Sequence, residues 1–314
     1  MYEQIARNKR RTIVYVGVFF LVWLGIGVVV GALYAAWSPP APGSSGGGDR
    51  DILTGLLLAA VVAGIAIVFT LRSGTRLVLS VAGAKEADRR QYAQLYGLVE
   101  ALALGDGLPA PAVYIVQDPS PNAFATGMSP ARSAVTVTTG LLAMMDREEL
   151  EGVLAHEMSH IRNYDTRLLL IVSTLIGLAA LLASVLWRSA FFTRSRGRNG
   201  GQLVLLVLGA AALLSVVGFV LGPVIRLALS RRRESLADAS GVELCRNPAG
   251  LISALRKLQA NDTAPVRFNH ATAAMCIDDP LQHHAGAVHR LFDTHPPIEV
   301  RISALEQMQH GLSV

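Results

Sequence analysis

Five consecutive residues have the types and spacing to do chemistry: His156, Glu157, Met158, Ser159 and His160. They lie in the run 148–170, which has helix-forming composition and no proline or glycine beyond Gly152. On an α-helix, residues four apart share a face, with Cβ atoms about 6 Å apart. Two imidazoles in that register can grip one metal ion while Glu157 stands over its open coordination position. This is the H-E-x-x-H pattern of zinc-dependent peptide hydrolysis. Three fixed letters also recur by chance, and the bland alternative is a polar helix face. The choice between the two depends on whether the chain supplies a third ligand and elements to hold it.

A catalytic zinc takes three protein ligands and leaves a fourth position for water. The candidate third ligand is Glu234, within Arg233-Glu234-Ser235-Leu236-Ala237-Asp238. Asp238, one turn on, can accept a hydrogen bond from the outer nitrogen of a ligand histidine and so fix its tautomer. One zinc per chain is expected. His270, His283, His284 and His289 lack i, i+4 pairing with a carboxylate and are not expected to hold a second metal.

The positioning elements follow from composition. The chain has 314 residues, 52% hydrophobic and 16% charged, with mean hydropathy +0.42. That is too apolar for a soluble protein of this size and indicates an integral membrane protein in a lipid bilayer. The net charge of +5 does not signify nucleic-acid binding, because arginine and lysine crowd the ends of apolar segments. The two cysteines, Cys245 and Cys276, give no disulfide framework.

Four uncharged stretches, about 13–37, 52–71, 168–187 and 203–225, are long enough to cross the hydrocarbon, where roughly 20 residues suffice. The first lacks a cleavage site and reads as a retained anchor. Arg7, Lys9, Arg10 and Arg11 precede the first hairpin and Arg72 and Arg76 follow it, against Arg50 in its connector. Both its ends are therefore expected in the cytoplasm. The second hairpin is expected to have the same orientation, although its connector carries Arg188, Arg194, Arg196 and Arg198; the alternative is a pair 168–225 that is tilted or partly packed against the soluble domain.

The resulting division is a transmembrane hairpin at 1–71, a first catalytic part at 72–166, a second hairpin at 167–229 and a second catalytic part at 230–314. Within the catalytic parts, 85–106 has helical spacing, 112–116, 122–126 and 134–138 read as strands, and 118–121 is a turn. Residues 227–245 read as a helix leaving the membrane arm. Pro248-Ala249-Gly250 is expected to interrupt the chain, with helices at 251–259 and 296–308 and a loop over 261–286. His160 stands eight residues before Leu168 and Glu234 nine after Ile225, about 12 and 13.5 Å of helix. An antiparallel hairpin then brings both ligand sets to one depth, with the metal helix continuing into the membrane. Gly25, Gly27 and Gly31 are candidates for close helix packing.

Several further runs carry a resemblance: Pro119 to Gly127, Val137 to Leu142, Glu149 to Glu157, Arg233 to Asp238, and Thr294-His295-Pro296-Pro297-Ile298-Glu299-Val300-Arg301. In order and spacing they are similar to the HtpX family of membrane zinc metalloproteases, over about two thirds of the chain. The resemblance implies a gluzincin-type zincin catalytic domain related to the CAAX prenyl proteases. The fold expected is mainly α, with a small β-sheet and four transmembrane helices. It also implies a multi-pass protein of the bacterial cytoplasmic membrane, its catalytic domain facing the cytoplasm. The implied role is quality control of damaged or misassembled membrane proteins, with membrane-protein or unfolded-protein substrates.

In that scheme Glu157 takes the proton of the attacking water and passes it to the leaving amine. On resemblance, His295 stabilises the oxyanion, with Asn122 or Asn163 behind it. The strand holding Asn122, Ala123, Phe124 and Ala125 is a candidate to bind substrate as an added strand. Two rivals come from other classes. One is a non-proteolytic scaffold with a structural zinc. The other, a metal transporter, is disfavoured because the ligands lie outside the apolar spans.

Overall fold

The computed structural model describes residues 2–37, 47–193, 204–205, 207–215, 231–261, 263, 276–277 and 297–312. The chain divides into two compact units, one of residues 1–10, 73–170 and 225–314, the other of 11–72 and 171–224. The described part is mainly helical, with one four-stranded sheet.

Helices α1 (Tyr2–Trp37), α2 (Gly47–Val81) and α6 (Asp165–Thr193) are the long apolar ones. Candidate spans occupy Ile5–Ala35, Gly48–Val81 and Asp165–Arg188. Each is longer than the apolar core read from sequence, because the helix runs on through its polar flanks. Exposed Ile13 (71%), Leu21 (66%) and Ile65 (65%) leave an apolar surface suited to lipid. Of the fourth expected span, 203–225, residues 204–205 and 207–215 are helical and the others lie outside the described residues. Three candidate spans therefore stand among the described residues.

In the second unit α1 and α2 touch through glycine. A Cβ on Gly27 would meet Ala59 Cβ at 2.5 Å, and one on Gly31 would meet the Asp51 carbonyl oxygen at 2.7 Å. Gly25 has open space. Small residues at Gly27 and Gly31 thus let the backbones approach, as lipid-embedded helices require in the absence of a hydrophobic driving force.

The first unit holds the sheet, in order β1 (Lys85–Glu86), β2 (Ala112–Val116), β4 (Arg132–Thr138), β3 (Ala123–Ser129). β2 and β4 are parallel, and β3 lies antiparallel on the edge of β4. The alternating valine and threonine of β4 suggest one wet face, yet Ser133 through Thr138 are all buried. Helix α3 (Ala93–Gly105) is shorter than expected. Its predicted first turns are replaced by β1 and by a turn in which Asp88 Oδ1 accepts from the N–H groups of Arg90 and Gln91.

After the short α4 (Thr139–Met144) comes the metal helix, α5 (Arg147–Arg162). Asp146 and Glu149 form a capping box at its start. Glu149 also accepts from Ser253 Oγ at 2.6 Å and Lys257 Nζ at 2.6 Å, fixing the helix before its chemistry begins. Val153, Leu154, Met158 and Ile161 fill the core.

One expectation is overturned here. The metal helix does not continue into the membrane arm: it ends at Asn163, Tyr164 takes φ 60°, and α6 starts afresh at Asp165. Neither glycine nor proline marks this break.

Helices α7 (Arg231–Cys245), α8 (Pro248–Gln259) and α9 (Ile298–Leu312) complete the unit. Pro248-Ala249-Gly250 does not interrupt the chain but forms the first turn of α8, with Asn247 as N-cap accepting from Gly250 N–H. Proline suits that position because its missing N–H has no helical partner there anyway.

Candidate metal centre

The two predicted histidines and the glutamate converge. His156 and His160 lie one turn apart on α5, and α7 packs against that face to bring in Glu234. His156 Nε2 is 3.2 Å from His160 Nε2, 3.6 Å separates His156 Nε2 from Glu234 Oε2, and 3.7 Å separates His160 Nε2 from Glu234 Oε1. Donors on a tetrahedron about 2.0–2.1 Å from zinc stand roughly 3.3 Å apart. The three donors therefore already fit the ion.

The polar-face alternative fails on burial, with His156 0%, Glu157 1%, His160 7% and Glu234 2% exposed. Buried charge needs a partner or a metal.

Each imidazole is steered from behind. His156 Nδ1 is 2.9 Å from Asp238 Oδ1, and His160 Nδ1 is 3.2 Å from Asp165 Oδ2. A carboxylate at Nδ1 keeps the proton there and turns the Nε2 lone pair toward the metal. Asp238 is clamped by Arg301, whose Nε and second guanidinium nitrogen donate to its two oxygens at 2.9 and 2.7 Å. Asp165 Oδ1 accepts from Arg233 at 3.2 Å. Arg233 is itself buried beside the ligands.

The electrostatics follow. Burial alone would raise the Asp238 carboxyl, but the Arg301 guanidinium and His156 hold it well below the ordinary carboxylate range. Burial would lower His160, yet facing Glu234 and Asp165 raise it to about 9 in the metal-free protein. Zinc must displace that proton. Apparent zinc affinity is therefore expected to rise with pH, by up to roughly tenfold per unit, until pH passes the His160 value of about 9. Competition with a chromophoric chelator at several pH values checks this, and a flat profile would contradict it.

Three roles behind the ligands escaped the sequence reading. Asp165 reads from sequence as an anchor for the end of the metal helix, and its hold on the His160 ring adds to that. Arg301 was visible only as part of the Thr294-to-Arg301 motif. At Gly241 α7 lies close on α5: a Cβ there would stand 3.0 Å from His156 N and 3.2 Å from Ala155 C. Gly241→Leu is expected to wedge the helices apart and weaken zinc binding at least about tenfold, comparable to loss of an outer-shell partner. Gly241→Ala should do less. Chelator competition measures both, and wild-type affinity in Gly241→Leu would contradict the close-approach argument.

Of the other predicted residues, Ala123, Phe124 and Ala125 are buried in β3, and Asn122 N–H donates to Thr138 Oγ1 just before it. Asn163 is the C-cap of α5. His295, His270, His283, His284 and His289 lie outside the described residues.

A family model, peptidase family M48, matches residues 89–309, which takes in α5, α7 and both arms of the site. The chain belongs to peptidase family M48. It is also similar along its length to proteins named protease HtpX homolog. One from Streptococcus thermophilus is 42% identical, covering 98% of this chain and all of that protein. One from Limosilactobacillus fermentum is 43% identical with the same coverage. One from Listeria monocytogenes is 39% identical. Among solved structures, the crystal structure of S. mikatae Ste24p is similar in fold, with TM-score 0.50, 16% identity, and coverage of 97% of this chain and 67% of that one.

With M48 membership and the His156-His160-Glu234 triangle together, the chain is an HtpX-type zinc metalloendopeptidase. Its apolar helices make it a multi-pass membrane protein. An M48 enzyme acts on proteins, and this one does so from a bilayer.

Proposed function

We propose that this chain cleaves damaged or misassembled membrane proteins, and unfolded protein segments, at the cytoplasmic face of the bacterial inner membrane. The observation that carries the reading is the buried His156, His160 and Glu234 triangle, with Glu157 buried beside it on the same helix, in a chain with long apolar helices. The rival, a scaffold with structural zinc, needs a closed four-ligand site. Among the described residues the cluster offers three donors, which supports an open position and hence catalysis.

Bound zinc supplies an acidified water and a Lewis acid for the scissile carbonyl. The residues of the chain do the rest. His156, His160 and Glu234 hold the ion, with Asp238 and Asp165 orienting the rings. Glu157 takes a proton from the attacking water and returns it to the leaving amine. His295 is the proposed oxyanion donor.

Substrate is proposed to add as a strand along β3, at Asn122 to Ala125. In the structure this edge is taken by Cys276 and Ile277, with Phe124 bridged antiparallel to Cys276 and Ile277 N–H donating to the Ala123 carbonyl at 2.9 Å, so a substrate strand at these residues displaces that pair. Recognition through backbone gives broad specificity, as quality control requires.

Orientation rests on the basic residues flanking the first hairpin, and residues 203–225 are proposed as the fourth span. A topology reporter in 188–201 tests both. Signal from the external side is expected, and cytoplasmic signal would mean the second hairpin does not span. The substrate class is tested by incubating purified zinc-loaded protein with an unfolded protein and with the same protein folded. Preferential cleavage of the unfolded form is expected, and indifference to folding would count against the proposed role.

A further inference from the structure

The start of α1 is rich in exposed charge, with Arg7, Lys9, Arg10 and Arg11 at the surface, but Asn8 among them is buried at 1% exposure. Positive residues before a membrane span are accounted for by topology. A buried amide in their midst is not.

Asn8 Nδ2 donates to Asp165 Oδ1 at 2.8 Å and to the Asn163 carbonyl at 2.9 Å. Those acceptors flank the break between α5 and α6. The residue between them, Tyr164, takes φ 60° and carries Lys9 Nζ over its ring at 4.5 Å from the centroid. Consecutive side chains of α1 therefore clasp the turn that ends the metal helix. The other oxygen of Asp165 faces His160 Nδ1 at 3.2 Å.

We propose that Asn8 is a positioning residue of the zinc centre, acting through Asp165 on the ligand His160. This rests on the reading of His160 as a ligand. A carboxylate can orient an imidazole only if its own rotation is fixed. Arg233 and Asn8 both donate to Asp165 Oδ1, leaving Oδ2 aimed at the ring. Arg233 contributes charge from α7, while Asn8 contributes direction, because its single amide nitrogen bridges Asp165 and the carbonyl at the end of α5. The first turns of the N-terminal helix thus belong functionally to the metal site, about 150 residues away in sequence.

Outer partners of metal ligands typically change metal affinity by roughly 10–100-fold. For a group one bond further out, the lower end applies. Asn8→Ala in the full-length protein is expected to release zinc about tenfold faster to a chelator in excess, and to alter the visible absorption of the cobalt-substituted protein. Arg10→Ala, on the same helix but exposed, should do neither.

The route is tested by repeating Asn8→Ala in an Asp165→Ala background. If Asn8 acts through Asp165, its effect disappears there. If it only stabilises the fold, the effect persists, and the proposal is overturned. Wild-type zinc release together with an unchanged cobalt spectrum in Asn8→Ala would also overturn it. Should Asn8→Ala not fold, Asn8→Leu keeps the side-chain size, loses the donor and is judged by the same outcomes. Retention of zinc by His160→Ala would instead refute the ligand reading on which the inference rests. The two failures are thus distinguishable.

Discussion

Glu234→Ala is expected to purify with less than roughly a tenth of the wild-type zinc, since the site loses one of three protein ligands and its only anionic one. The two imidazoles that remain are neutral donors when they bind metal. Among the described residues, Glu234 is the ligand that the cluster takes from α7. The fold should survive, because α5 and α7 meet through Gly241 and through neighbouring buried groups rather than through the ion alone. Metal analysis beside a thermal melt separates these effects. Full metal loading in the variant would remove Glu234 from the ligand set.

Glu157→Gln is expected to keep its zinc and lose proteolysis by about 10² to 10⁴-fold, the range for a general acid–base residue. Glu157 is 1% exposed, so an isosteric replacement is needed to avoid opening a cavity. Glutamine fills the same volume but cannot accept the proton of the attacking water. Zinc content should be unchanged, because the ligand donors come from His156, His160 and Glu234. Equal cleavage by variant and wild type would take Glu157 out of the chemistry.

How much of this was legible before the structure depended on range in sequence. The residues 112–116 were read as a strand and form β2 over the same span, because an apolar run bounded by turn residues is a local signal. The i, i+4 histidines are local too. Glu234 was picked out within the Arg233–Asp238 run, with the spacing of the apolar segments and the HtpX resemblance as support.

The errors were made where local pattern and tertiary pairing disagree. Residues 85–92 continue the helical spacing of α3, but Lys85 and Glu86 pair with Ile115 and Tyr114 instead. Pro248 punctuates the sequence, and its meaning depends on Asn247 capping the helix that it begins. The break at Tyr164 lacks the usual glycine and is held by contacts from α1, with Lys9 on its ring and Asn8 on the carbonyl before it.

The donors to Asp165 were opaque for the same reason: Asn8 and Arg233 lie 157 and 68 positions away, and no local periodicity carries that information. Arg301 reaches Asp238 across 63 positions. Its burial beside the metal ligands could not be read from the amphipathic helix that carries it.

The membrane contributes less to the site than the hairpin argument implied. Since α5 ends before α6 begins, the zinc ligands are positioned by packing of α5 against α7 and by the Asp238–Arg301 and Asp165–Arg233 pairs.

The most direct test is metal stoichiometry measured on the same preparation as cleavage of an unfolded protein, before chelation, after removal of zinc, and after its return. The account predicts one zinc per chain, cleavage lost with the metal and recovered on adding it back. Undiminished cleavage by metal-free protein would contradict it.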